Sequence, residues 1–131
     1  MIVKDMMTMD VVTCFPEDLL VDIASQIATN KFSCIVVIED RKPVGIITER
    51  DLVKLLVKSL QGTTWDDQAI REFMTSPVIT VDEDMPLEDV IVMKAHKNEI
   101  RHMPVIDIIT GELVGILTQT DIIEASIRLM K

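Results

Sequence analysis

Aromatic side chains are nearly missing from this chain. They make up 3% of its 131 residues, with no tyrosine, one tryptophan and three phenylalanines. A core must therefore be aliphatic, and apolar residues at 48% supply enough for one. Nine methionines, the first residue included, add adaptable packing. Two cysteines, Cys14 and Cys34, are too few for a disulfide framework. Both fall in apolar strand-like stretches, where buried reduced thiols are expected. A metal site from Cys14, Cys34, His96 and His102 would need a ligand-pair spacing that none of them shows. No apolar run reaches the roughly 18 residues of a membrane span, and no signal-peptide pattern opens the chain. A cytoplasmic protein without membrane contact is the expectation.

Cations are also scarce. Thirteen basic residues face 22 acidic ones, for a net charge of −9. The imbalance is local: residues 1–65 carry 7 basic and 9 acidic residues, and residues 66–131 carry 6 and 13. A field of this sign opposes non-specific binding to DNA or RNA. An anionic ligand would have to be held by a few placed cations and backbone N–H groups. There is no nucleophile–base–orienter set, no P-loop and no run of metal ligands, so nothing points to catalysis.

What the chain does have is one unit written twice. Met7-Thr8 followed by Val11-Val12-Thr13 returns as Met74-Thr75 followed by Val78-Ile79-Thr80. Gly45-Ile46-Ile47-Thr48-Glu49-Arg50-Asp51 returns as Gly115-Ile116-Leu117-Thr118-Gln119-Thr120-Asp121. The repeats divide as 1–64 and 65–131, with Gln61-Gly62-Thr63-Thr64 as the linker.

Each repeat predicts the order β-α-β-β-α. A lead-in (2–7, then 65–74, the second a short helix) precedes a short strand (11–14, then 78–81). Pro16-Glu17-Asp18 and Asp82-Glu83-Asp84-Met85-Pro86 are helix-start signals. Leu19, Leu20, Ile23, Ala24 and Ile27 mark an amphipathic helix, with Leu87, Val90, Ile91 and Ala95 as its counterpart. Hairpins follow at 34–38 with 43–48, and at 102–107 with 112–118. Closing helices run over 49–60 and 119–130. Units of about 60 residues bury too little surface to be stable alone. Pairing the two sheets about a pseudo-twofold axis would bury both apolar faces and leave two related clefts, each lined by the Thr-x-x-Asp of one unit and the early strand of the other. Leu55, Leu56, Ile127 and Met130 on the closing helices offer a face for a homodimer.

The strand-to-helix junctions carry the chemistry. Thr48 and Thr118 stand at helix N-cap positions, where a hydroxyl and free backbone N–H groups suit a phosphate. Asp51 and Asp121 lie in the first turn. A carboxylate accepts two hydrogen bonds at once and can chelate a ribose diol; the plainer role is compensation of the helix dipole. Arg101 at the start of the second central strand can bind phosphate in bidentate fashion, or else pair with Glu99 or Asp107. His102 beside it is a further phosphate candidate. Ser33 holds the matching place in the first repeat. Arg50 either approaches a phosphate or is a solvated helix residue.

The doubled β-α-β-β-α order, the Gly-h-h-Thr-x-x-Asp ending of both halves and Arg101-His102-Met103-Pro104-Val105-Ile106-Asp107 together resemble a cystathionine β-synthase-type (CBS) domain pair, or Bateman module. The resemblance covers about 125 of the 131 residues. The first repeat departs from it: Cys34-Ile35-Val36-Val37-Ile38-Glu39 has no proline and no Arg-His pair. The resemblance implies a stand-alone, non-enzymatic regulatory module that binds AMP, ADP or ATP and acts on another, unidentified protein. It implies base contacts at Val12, Phe32, Ile79 and Ile100, all of which would serve equally as core. A sensor of S-adenosylmethionine and an interaction module with vestigial clefts are the alternatives.

Overall fold

The computed structural model describes residues 1–62, 64, 67–96 and 101–130. It is a mixed α/β fold with two three-stranded sheets and five α-helices. In chain order these are α1 (Val3–Met6), β1 (Thr13–Cys14), α2 (Leu20–Asn30), β2 (Cys34–Glu39), β3 (Lys42–Thr48), α3 (Glu49–Leu60), a 3-10 turn at Ile70–Glu72, β4 (Val81–Asp82), α4 (Leu87–His96), β5 (His102–Ile106), β6 (Leu113–Thr118) and α5 (Gln119–Leu129). The chain packs as two compact units, Val12–Val78 and Met1–Val11 with Ile79–Lys131. Packing and sequence repetition thus divide the chain differently: each lead-in belongs to the unit built mainly from the other repeat.

In unit Val12–Val78 the sheet order is β1-β2-β3, with β1 parallel and β3 antiparallel to β2. A tight turn joins β2 to β3, and its central residues Asp40 and Arg41 both have positive φ, as a two-residue hairpin with right-handed strand twist requires. Leu20, Ile23 and Ile27 of α2 recur at helical spacing and are buried on Ile35, Val37 and Ile47 of the sheet. Leu55 is part of this core and only 9% exposed. It therefore does not belong to the surface face expected of it; Leu56, the next residue, lies about 100° further around the helix and faces solvent. The expected helix over 65–74 is a single 3-10 turn. Its first N–H groups bond outside the segment, Ile70 N to the Asp18 carbonyl at 2.8 Å and Arg71 N to that of Pro16 at 2.9 Å. Those orphan donors are satisfied without a longer helix. Thr63 and Trp65 lie outside the described residues.

Unit Met1–Val11 with Ile79–Lys131 repeats this plan. The sheet order is β4-β5-β6, again parallel then antiparallel. Val3 is fully buried among Val81, Leu87, Val90, Met103, Val105, Leu117, Ile122 and Ala125. The N–H groups of Val3 and Lys4 bond to the carbonyls of Met85 and Glu83, at 2.9 and 2.8 Å. Strands β1 and β4 are shorter than the four residues expected. Only Thr13–Cys14 and Val81–Asp82 find ladder partners, at Val36–Val37 and Val105–Ile106. Among the described residues no helix is long and apolar enough to cross a membrane.

Candidate functional site

Each closing helix opens with the same reciprocal cap. In unit Val12–Val78, Asp51 Oδ2 accepts the Thr48 backbone N–H at 2.9 Å, and the Asp51 N–H donates to Thr48 Oγ1 at 3.3 Å. In the other unit the corresponding distances, Thr118 N to Asp121 Oδ2 and Asp121 N to Thr118 Oγ1, are 3.0 and 3.1 Å. This is a capping box with aspartate at the third helical position. Asp5 and Asp18 make the same back-bond, to Ile2 N at 3.0 Å and Phe15 N at 2.8 Å. A carboxylate that satisfies a backbone donor three residues earlier is thus a local habit of this chain and no mark of a ligand.

Two features set Asp51 and Asp121 apart. Each follows a buried Gly-h-h strand end. Each cap is half-buried, so solvent only partly competes there. In both boxes the hydrogen bonds to the carboxylate go to Oδ2, as they do at Asp5 and Asp18; among the described residues none reaches Oδ1. One carboxylate oxygen in each unit is left as an acceptor beside a helix N-terminus.

The start of the central strand is tied to the same place. Glu49 N bonds to the Ser33 carbonyl at 3.2 Å, and Gln119 N to the Arg101 carbonyl at 3.0 Å. Cys34 pairs across the ladder with Thr48, and His102 with Thr118. The structure therefore gathers Ser33, Thr48, Arg50 and Asp51 at one end of the first sheet, and Arg101, His102, Thr118 and Asp121 at the same end of the second. The two gatherings differ in charge. Exposed Arg50 sits between Glu49 and Asp51, whereas exposed Arg101 has Gln119 and Thr120 in the first turn beside it. Asp107 does not hold Arg101: its Oδ1 accepts the N–H groups of Ile109 and Thr110, closing the turn after β5. Glu99, the other expected partner, lies outside the described residues.

The apolar candidates divide. Val12 and Phe32 are half-buried and pack on the core of their own unit. Ile79 is half-buried. Ile100 lies outside the described residues.

One residue was missed by sequence reasoning. The lead-ins add a fourth edge to each sheet: Thr8 pairs with Ile116 through bonds of 2.9 and 2.8 Å, and Thr75 with Ile46 through bonds of 3.2 and 3.0 Å. Thr8 Oγ1 thereby donates to Asp121 Oδ2 at 3.4 Å. Thr75 holds the matching place in the other unit. The signal was present in the repeated Met-Thr pairs, which were read only as evidence of duplication.

The thiols nearby are quiet. Burial, with the Asp18 carboxylate adding to it, pushes the Cys14 thiol up to about 12. Burial raises that of Cys34 to about 11, against a hydrogen bond from Ser33 that lowers it. Neither supplies a thiolate at neutral pH.

The comparisons with known proteins agree with this plan. The CBS domain model matches residues 3–58 and 70–128. An uncharacterized protein of Methanopyrus kandleri is 38% identical over 116 residues, which are 88% of this chain and 57% of that protein. The chain thus spans little more than half of that relative. Two crystal structures share the fold over nearly their whole length. The CBS domain pair of protein MJ0100, in complex with 5′-methylthioadenosine and S-adenosyl-L-methionine, has a TM-score of 0.79 at 28% identity, covering 100% of this chain and 98% of that one. CBSX2 in complex with AMP has a TM-score of 0.78 at 27% identity, covering 99% and 98%. With its β-α-β-β-α order, its doubled Thr-x-x-Asp cap and a family model matched in both halves, this chain belongs to the CBS domain family and carries two copies of that domain.

Proposed function

We propose that this chain is a non-catalytic regulatory module that binds adenosine compounds at its two Thr-x-x-Asp ends. The observation that carries the reading is the half-buried Thr-Asp capping box that follows a buried strand in both units, with one carboxylate oxygen left over in each. A ribose offers two adjacent hydroxyl donors, and a half-buried carboxylate with one uncommitted oxygen is a fitting acceptor for them. The ligands named for the two similar structures, AMP, 5′-methylthioadenosine and S-adenosyl-L-methionine, have the adenosine group in common. The phosphate is the variable part. Thr48, Thr118, Ser33, Arg50, Arg101 and His102 are the residues proposed to meet it, and the balance of charge favours an anionic ligand beside Arg101. Val12, Phe32, Ile79 and Ile100 are proposed as base contacts.

The output of such a module is a change in packing that another, unidentified protein reads. Self-association is part of the proposal, because α3 and α5 each leave an apolar row in solvent. Thermal melting with AMP, ADP, ATP, 5′-methylthioadenosine and S-adenosylmethionine tests the binding. A ligand held only by the folded state adds roughly 2.7 kcal/mol at about 100 times its dissociation constant. A raised melting temperature with at least one of them is expected; no shift with any would favour a module that acts through its surface alone.

A further inference from the structure

The end of the second sheet away from its cap carries two side chains that turn chemistry does not explain. Strand β5 opens beside the cap, where His102 pairs with Thr118, and closes at Ile106, which pairs with Leu113 on one side and Asp82 on the other. Asp107 N then donates to the Glu112 carbonyl at 3.0 Å, so the four residues 108–111 form the turn. In the first sheet Glu39 pairs with Lys42, and only Asp40 and Arg41 lie between. The longer turn is built by Asp107, Thr110 and Gly111. Asp107 Oδ1 accepts the N–H groups of Ile109 and Thr110, and the Asp107 carbonyl accepts that of Gly111 at 2.7 Å. Thr110 Oγ1 accepts the Glu112 N–H at 3.2 Å, and Gly111 takes a φ of 76°. Ile108 and Ile109 lend the turn only backbone, and isoleucine is no turn former. Their side chains are 64% and 90% exposed, and among the described residues no large apolar side chain is more exposed than Ile109.

The charge around the two isoleucines is of one sign. Asp82, Glu83 and Asp84 leave β4 beside Ile106, and Asp107 and Glu112 flank the turn. Neither stretch contains a cation; Lys4 reaches Glu83 from α1 at 3.9 Å. The same end of the first sheet is balanced. Its turn carries Arg41 and Lys42 beside Glu39 and Asp40. Arg71, the counterpart of Lys4 in the repeat, bridges Glu17 and Glu39 at 2.8 and 3.2 Å. One turn is polar and charge-balanced; the other is an apolar point among carboxylates.

We propose that Ile108 and Ile109 dock a segment of a different protein in which an apolar side chain stands among lysines or arginines. Charge complementarity names this occupant. The carboxylates repel the phosphates of a lipid surface or a nucleic acid, and they repel the same end of a second copy. The isoleucines supply apolar contact, and the rim selects a cationic partner. The surface lies at the end of the sheet opposite the cap, so the contact requires no adenosine compound and stands apart from the binding proposed above.

Fluorescence anisotropy with three labelled synthetic peptides is the test, each with one helical apolar face: lysine–leucine, lysine–alanine and glutamate–leucine. Each is titrated with the whole chain in the absence of nucleotide. The lysine–leucine peptide is expected to bind at least about tenfold more tightly than either of the others, as burial of apolar side chains inside a cation-selecting rim requires. Ile108→Ser/Ile109→Ser should remove the preference for leucine over alanine. Asp84→Lys, at an exposed position, should weaken the binding of both lysine peptides. Leu56→Ser/Leu60→Ser, at exposed positions of α3, should leave the preference intact. Circular dichroism confirms that each variant is folded. No preference for leucine, a preference that survives the isoleucine substitutions, or one lost equally on α3 overturns the proposal. A wild type that self-associates in sedimentation velocity beside an isoleucine variant that does not would make a second copy the occupant, and overturns it as well.

Discussion

Gly45 and Gly115 serve the site by what they lack. A Cβ at Gly115 would come within 2.6 Å of Met7 Sδ and 3.0 Å of the Thr8 carbonyl oxygen. A Cβ at Gly45 would meet Met74 Sδ and lie 2.8 Å from Met74 Cγ. The glycine at the head of each Gly-h-h-Thr-x-x-Asp run is thus the seat of a lead-in methionine, and at Gly115 the threonine next to that methionine, Thr8, reaches the cap of Asp121. Gly45→Ala and Gly115→Ala should each cost about 1–3 kcal/mol by overpacking, read from urea denaturation. Adding Met74→Ala should remove most of the Gly45→Ala cost in a double-mutant cycle. A stabilised Gly45→Ala, as expected for an unhindered glycine, would refute this. The close approach that glycine permits was legible in the sequence; its partner was not, because the methionine comes from a segment distant in the chain. Cys14 gives a second check at this scale. A thiol raised to about 12 in the folded state but near 8.5 when unfolded stays neutral while the unfolded chain ionises. Its stabilising effect is therefore complete below pH 8.5 and is lost as pH rises towards 12. Native protein at pH 8 should leave Cys14 unreactive to a thiol reagent, and denaturant should expose it; rapid labelling of the native thiol would contradict the burial.

Among the elements, the lead-ins are the least independent and the most telling. Segment α1 is four residues long and has no helical stability of its own. It is held because Val3 is fully buried in a core otherwise drawn from residues 81–125, and because Thr8 bridges Ile116. Removing residues 1–9 should destabilise the protein by at least about 3 kcal/mol, the cost of emptying a core valine's site and its methionine neighbours. Unchanged unfolding after that truncation would show the segment to be an appendage. Hairpins and closing helices were readable in advance because their signals are local: apolar runs, a turn, a threonine with an aspartate three residues on. The second lead-in, expected as a short helix over 65–74, is helical only as a 3-10 turn at Ile70–Glu72, and nothing within that stretch reports that its first donors bond to Asp18 and Pro16. The Leu55 misplacement has a similar cause. On α3 the buried and exposed apolar rows adjoin, and residue type alone does not separate them.

At the scale of the whole molecule, duplication is what turns an ordinary helix cap into a candidate site. Among the described residues four aspartates back-bond to a residue three before them, yet only two do so with a threonine at the end of a buried strand. Both copies kept that set while their surroundings diverged, Ser33 and Arg50 at one end, Arg101 and His102 at the other. The sequence showed the caps and the divergence; Thr8 and the spare carboxylate oxygen needed coordinates, since hydrogen-bond commitments are not written in residue order. The central claim is that Asp51 and Asp121 take the ribose hydroxyls of an adenosine compound. It is tested most directly by titration calorimetry of AMP and its 2′,3′-dideoxy analogue with the wild type and with Asp51→Asn/Asp121→Asn. Asparagine keeps one oxygen for the cap, so the helices should survive. The wild type is expected to bind AMP at least about tenfold more tightly than the analogue, as lost charge-assisted hydrogen bonds of roughly 1.5–3 kcal/mol require, and the double variant to lose that difference. Equal affinity of the wild type for both compounds, or an undiminished preference in the variant, would contradict the account.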